Sequence, residues 1–352
     1  MEEQLAPANV PGGPAAAPAP RRAIGLTTFF GRALRSRGFG AFAGLVLLGG
    51  IFQAMSGLFL TAGEMRGMSL VASEYGIIGV GVAFLMISGE FDLSVGAMYA
   101  FAPIVLAKLL VQLGWNDWLA FAVVITLAAS VGMVHGFIVT RLNIPSFITT
   151  LATLFVLGGL SYYITGGLPI PYFQRTPFVA MLGGNIAGTP FAAPFAWMLL
   201  FGLVFWVILG FTRYGNWSTA AGARGGVARA LGVPTRLVKT VNFALCSTLA
   251  AFAGCTAFAQ LGQVEPTFGT DANLLAIVAA VLGGTSLFGV EGSIAGTVFG
   301  ALLLGSLSTG LVLVGAPGSW YTALIGVILL LAVFLNERLD HFSVYLRRAR
   351  SR

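Results

Sequence analysis

Ten long apolar runs, most of them joined by short connectors, leave this chain few ways to fold. They fall at about 39–60, 67–88, 93–113, 117–140, 145–166, 195–212, 238–262, 272–289, 292–314 and 319–336. Each is near the ~17–25 residues that a helix needs to cross the hydrocarbon core of a bilayer. Charged residues make up only 9% of the 352 positions and hydrophobic residues 57%, whereas a soluble domain is ~25% charged. So little charge cannot coat a surface facing water. Lipid offers the backbone no hydrogen bonds, so the spanning element has to be a helix that satisfies its own. The expected fold is an all-α polytopic membrane protein of about ten transmembrane helices. The 48 glycines, about twice the usual ~7%, suit helices whose backbones pack closely. Glycine-rich stretches around 88–96 and 283–296 leave the number of full crossings open at those two places.

The basic residues set an orientation. With both termini inside, sixteen of the nineteen Lys and Arg residues fall in cytoplasmic segments, and only Arg66, Lys108 and Arg175 fall outside. Basic residues concentrate on the cytoplasmic side of membrane proteins, and a shift of one span would destroy the asymmetry. The net charge of +7 is thus a topology signal. It forms no continuous basic face for a phosphate backbone, and no nucleic-acid partner is expected. Residues 1–38, Ala/Pro-rich at their start, read as a disordered cytoplasmic tail. Residues 39–336 read as the transmembrane domain and 337–352 as a basic cytoplasmic tail. The first charges are Glu2 and Glu3, and no apolar run begins before Phe39, which does not fit a secretory signal.

Motifs for catalysis are missing. Neither lysine, Lys108 nor Lys239, follows a glycine, so the chain has no phosphate-binding loop. Its two histidines, His135 and His341, and two cysteines form no HExxH, CxxC or clustered metal set, and no GxSxG elbow is present. No enzymatic activity, metal or cofactor is expected. Cys246 and Cys255 lie nine residues apart on one predicted helix, too far to bridge, and read as small packing residues. His135 reads as a packed, hydrogen-bonded residue of the fourth run.

A few polar residues stand where lipid should be. Glu74, in the second run, is a carboxylate that needs a partner or a wet cavity. Glu90, Asp92 and Ser94 lie in SGEFDLSVG between the second and third runs. Asp92 reads as an N-cap of the third helix, with a broken-helix solute site as the functional alternative. In RLNIPSFITTLATL, Pro145 is placed to open the fifth helix after Asn143 as a cap. Ser146, Thr149 and Thr150 then share one side of its first turns, where hydroxyls line a path or bond their own backbone. These eight residues, Glu74, Glu90, Asp92, Ser94, Asn143, Ser146, Thr149 and Thr150, are the candidate translocation path. Gly292, Gly296 and Gly300 form a GxxxG ridge that reads as close packing.

Five segments together resemble the permease subunits of ribose/xylose/galactose-type bacterial ABC importers, within the branched-chain amino acid/monosaccharide permease superfamily. They are SGEFDLSVGAMYAF (88–101), LNIPSFITTLATLFVLGGL (142–160), RALGVPTRLVK (229–239), LAAFAG (249–254) and LAIVAAVLGGTSLFGVEGSIAGTVFGALLLG (275–305). They run in the family's order. The resemblance implies a type II fold like that of the vitamin B12 importer, working as a homodimer in the bacterial inner membrane. It also implies a cytoplasmic ATP-binding subunit, which binds the ATP, and a periplasmic solute-binding protein. The 213–237 connector would hold the helix that docks on the ATPase, with Gly222, Arg224, Arg229, Gly232 and Pro234 as candidate coupling residues. Arg224 and Gly225 stand where the family carries Asn and an acidic residue. An acidic pair usual before the GGTS run is replaced by Asn273 and its apolar neighbours.

The leading expectation is a permease for a small polar solute, a monosaccharide first. A nucleoside or branched-chain amino acid permease of the same superfamily is the second reading. A self-contained secondary transporter, which would show paired buried ionisable groups or matched interrupted helices, is the third.

Overall fold

The computed structural model describes residues 38–330, apart from 288 and 329. In chain order its elements are α1 (Phe39–Ser56), α2 (Ala62–Ile87), α3 (Val95–Val111), α4 (Asp117–Arg141), α5 (Ser146–Thr165), β1 (Ile170–Pro171) and α6 (Pro177–Gly183). They continue as α7 (Ala193–Phe211), α8 (Arg213–Ala230), α9 (Thr235–Leu261), β2 (Gln263–Val264), α10 (Ala272–Leu282), α11 (Ile294–Leu313) and α12 (Ser319–Ile328). Seven helices, α1, α2, α4, α5, α7, α9 and α11, are long and apolar enough to cross a membrane, while α3, α10 and α12 are shorter apolar helices. All ten sit on the ten runs read from the sequence. The all-α polytopic fold is as expected. Residues 1–37 of the proposed 1–38 tail, the 337–352 tail and the end of the tenth run lie outside the described residues.

The main difference is at the eighth run. A helix was expected over 272–289, but α10 stops at Leu282. The reason is a glycine stop: Gly284 takes φ 86°, its N–H reaches Val281 O at 2.9 Å, and Thr285 N–H reaches Ala280 O at 3.0 Å. This pair of bonds satisfies carbonyls that the ended helix would orphan. Helix α2 ends the same way. Gly89 takes φ 81°, Gly89 N–H bonds Met86 O at 2.8 Å and Glu90 N–H bonds Leu85 O at 3.4 Å. At 11 residues, α10 is about 16 Å long, half the ~30 Å hydrocarbon thickness.

Among the seven long helices three form the interior, and the short helices α3 and α10 are buried beside them. The buried share of the apolar stretch is 78% for α2, 72% for α9 and 61% for α11, against 22% for α5 and α7 and 11% for α1. The outer helices turn residues such as Val46, Leu47, Phe155 and Leu203 outward, as lipid-facing helices must. Inner contacts use glycine. Added methyls would collide with the Phe243 carbonyl at Gly132 and with Thr240 at Gly136, so α4 lies directly on α9. Gly296 and Gly300 lie on the backbone of Gly283 and Ala279, which seats α11 on α10. Gly292, expected on the same ridge, precedes the helix and packs against Ile87.

The two ends of the bundle are built differently. One gathers the α2–α3, α4–α5 and α10–α11 links together with α8. At the other, β1 pairs antiparallel with β2, Ile170 opposite Val264, and Asp117 at the start of α4 accepts from the Tyr172 hydroxyl (3.1 Å) and the Thr176 hydroxyl (2.6 Å). Burial, followed by the Asp117 carboxylate, pushes the Tyr172 phenol above its ordinary range, so it stays a donor.

Candidate solute path and coupling surface

Between α2 and α3 the backbone runs unwound through the packed bundle, and side chains satisfy it. Phe91 N–H donates to Ser146 Oγ (3.4 Å), Leu93 N–H to Thr150 Oγ1 (3.1 Å), and Asn273 Nδ2 to Leu93 O (3.3 Å). Non-helical backbone at membrane depth survives only where protein or a wet cavity meets its polar groups. The hydroxyls of the first α5 turn do this for the break. Thr149, the third of the set, bonds Pro145 O in its own helix at 3.2 Å.

Asp92 sits at the centre of this segment, 1% exposed. Its Oδ1 accepts from Ser94 N–H at 2.8 Å and from the Ser94 hydroxyl at 2.5 Å. Ser94, not Asp92, is the N-cap of α3, so the aspartate stabilises the turn just before the helix. The Ser247 hydroxyl approaches Asp92 Oδ2 at 3.5 Å. His135 Nδ1 also stands 3.5 Å from Asp92 Oδ2 but has no hydrogen-bond partner among the described residues, while its Nε2 lies 2.9 Å from Thr153 Oγ1. His135 is packed and hydrogen-bonded, as read from the sequence, and it also faces the one buried carboxylate of the break. Nothing in the spacing of residues 92 and 135 announces that pairing.

A second polar group lies nearer the opposite end. The Tyr99 hydroxyl lies within interaction range of Glu74, and Tyr99 stacks on Phe268 with ring centroids 5.0 Å apart. Tyr321 and Tyr75 stand within electrostatic reach of the same carboxylate, and Asp271 within reach of Tyr75. Asn273 Oδ1 and the Tyr321 hydroxyl are buried with no hydrogen-bond partner among the described residues. Polar atoms left over in this way raise the free energy of an empty site and are available to a ligand with hydroxyl groups. Asn143 stands apart from both clusters. It is exposed, adopts φ 54° and shapes the α4–α5 turn. Helix α5 begins at Ser146 with Pro145 at the capping position, one residue later than expected, because Asn tolerates the left-handed turn that precedes it.

Helix α8 occupies the first end. Thr212 caps it by accepting from Gly215 N–H at 3.2 Å, and it bends at Arg224, whose φ −149° and ψ 82° are not helical. Gly222 lies against the end of α2, where an added methyl would collide with the Ile87 carbonyl oxygen. The same Ile87 carbonyl accepts from Val290 N–H at 3.1 Å, and a Cβ on Gly289 would stand 3.0 Å from the Gly89 Cα. Three chain segments therefore meet backbone to backbone. Glu90 Oε1 is 2.6 Å from Lys239 Nζ, which links the break to α9. Tyr214 links α8 to α9 through its hydroxyl on Asn242 Oδ1 at 2.6 Å. Gly232 takes φ 84° and Pro234 stands at the N-cap of α9, so both shape the turn out of α8. The sequence singled out Glu90 but not its partner, 149 positions away.

With this geometry in place, residues 65–333 match a family described as branched-chain amino acid transport system / permease component. The chain is 35% identical to the ribose import permease protein RbsC of Escherichia coli (strain K12), over 74% of this chain and 82% of that one. It is 32% identical to the xylose/arabinose import permease protein XylH of Sulfolobus acidocaldarius, over 75% of this chain and 74% of that one. It is 29% identical to the fructose import permease protein FrcC of Rhizobium meliloti, over 74% of each. No solved structure gave a significant match.

Proposed function

Because this chain belongs to the family of permease components of branched-chain amino acid transport systems, we propose that it is the membrane-spanning subunit of an ABC importer that passes a monosaccharide. The observation that carries the sugar reading is that relatives named for ribose, xylose/arabinose and fructose import each align over about three quarters of the chain. The Glu74 cluster supports it. A carboxylate, three tyrosines and an unpartnered amide oxygen suit a neutral solute rich in hydroxyl groups. The path runs from this cluster past Asn273 to the Asp92 break, with Glu90 and Ser94 at its inner end.

Power comes from a cytoplasmic ATP-binding subunit, and the solute from a periplasmic binding protein. Two copies of this chain make one importer in the inner membrane. Both termini are cytoplasmic, a reading supported by the sixteen-to-three distribution of basic charge. The ATPase docks on α8 and the turn that follows it, with Gly222, Arg224, Arg229, Gly232 and Pro234 forming or shaping the contact. Val227 and Leu231 are exposed there and supply an apolar surface.

Proteoliposomes carrying the permease, its ATPase and its binding protein test this reading. ATP-dependent uptake of a pentose or hexose is expected. Uptake confined to leucine or to a nucleoside would overturn the sugar assignment, and uptake without the ATPase would overturn the ABC mechanism. In the same assay Glu74→Gln, which keeps the shape and one acceptor oxygen but replaces the other with a donor, should raise KM roughly 2- to 10-fold, the range for one misplaced hydrogen bond.

A further inference from the structure

The close seam between α4 and α9 opens at the α8 end into a cavity of ≈ 520 Å³. Its walls are the last turn of α4, the first turns of α9 and the turn leading out of α8. Arg141, Arg229 and Arg236 line it, together with Thr140, Thr235 and Thr240. Arg229 Nε donates to Thr235 Oγ1 at 3.4 Å. Among the described residues none of the three arginines pairs with a carboxylate. A guanidinium stays charged at any physiological pH. Three of them around one cavity repel each other unless an anion lies between.

The lip of the cavity is apolar. Phe137 and Leu237 line it and are 55% and 61% exposed. Met133, one turn back along α4 from Phe137, is 48% exposed. Residues 133, 137 and 141 share one helix face, so an apolar strip leads from the middle of a spanning helix to Arg141. Over eight residues that strip is about 12 Å long. Its position at the ends of two spanning helices puts the cavity at the level of lipid headgroups.

We propose that this cavity binds the phosphate of an anionic phospholipid, with an acyl chain along Met133 and Phe137. Arginine forks match phosphate oxygens with two parallel hydrogen bonds, and threonine hydroxyls complete the shell. Basic pockets between spanning helices are suited to such headgroups. A free phosphate would use the arginines and leave the strip bare. An acidic side chain of a partner protein would do the same. The lipid fills both parts, and it braces the turn between α8 and α9 beside the coupling surface.

Arg229 also belongs to the proposed coupling surface, so Arg141 and Arg236 carry the test. The full-length permease is purified in mild detergent, titrated with phosphatidylglycerol or phosphatidylcholine, and analysed by native mass spectrometry and thermal unfolding. Phosphatidylglycerol should be retained and should stabilise the protein, whereas phosphatidylcholine should not. R141Q/R236Q should weaken phosphatidylglycerol retention roughly thirtyfold, from the contribution of two arginines near a charged lipid. The R141K/R236K variant should recover much of it, which separates loss of the site from loss of the fold. Equal retention by wild type and R141Q/R236Q would overturn the proposal. So would equal stabilisation by inorganic phosphate, which makes the site one for a free anion. Loss of ATPase-subunit binding with lipid retention unchanged would assign the cavity to the partner protein instead.

Discussion

The two ends of the bundle differ in the balance of backbone and side-chain contacts that join their links. At the α8 end, Gly222, Gly89 and Gly289 bring three backbones into contact around the Ile87 carbonyl. At the other, beyond the short β1–β2 pair and the contact of Gly183 with the Gln260 backbone, side chains make the joins: Tyr172 and Thr176 on Asp117, Tyr99 on Phe268, and Arg66 Nη2 on Asn185 Oδ1 at 2.5 Å. Side chains rotate and leave room, so such joins tolerate small shifts. Backbone contacts have no slack, and a displacement of one segment has to move the next. The α8 end is suited to transmitting a push, and the opposite end to holding the helices together while the push occurs.

The largest effect should come from adding one methyl group at the rigid end. In reconstituted importers Gly222→Ala should lower solute uptake roughly 5- to 150-fold, the range for a 1–3 kcal/mol overpacking cost acting on a conformational equilibrium. Gly225→Ala lies on the same helix with open space around it, and should leave uptake within about twofold. Equal losses in the two variants would mean that helix composition, and not the contact with Ile87, decides coupling.

A smaller effect is expected inside the break. Asp92→Ala leaves the Ser94 amide without its acceptor and His135 without its facing carboxyl group. Stability should fall by about 1–3 kcal/mol, read as a lower Tm in detergent. An unchanged Tm would show that water or a relaxed turn replaces the carboxylate. The smallest effect belongs to the side-chain end. Asp117→Ala removes two hydroxyl partners and should cost about 1–2 kcal/mol of stability, with uptake kept within about twofold. Uptake that falls as far as in Gly222→Ala would erase the distinction between the ends.

Much of this was legible in the residues, and for identifiable reasons. The ten apolar helices follow from length and composition, which need no partner to be recognised. The stops at Gly89 and Gly284 lie in the glycine-rich stretches where the span count was open. The eighth run overshoots the helix because Leu287 and Phe288 carry the apolar pattern past Gly284. Ser146 and Thr150 were placed on one side of α5 by helical period, but their acceptor role toward Phe91 and Leu93 depends on a backbone more than fifty positions earlier. Lys239 counted only as a topology signal until folding set it beside Glu90. The α4–α9 cavity was equally hidden, since Arg141 and Arg236 lie far apart in the sequence, on two different helices.

The GxxxG motif of α11 has a further consequence. Gly296 and Gly300 are already occupied by the backbone of α10. A helix face can be used once. Any second copy of the chain would have to make its contact on another surface, and the motif that most resembles a dimerisation signal in the sequence serves instead to hold a half-length helix among the spanning ones.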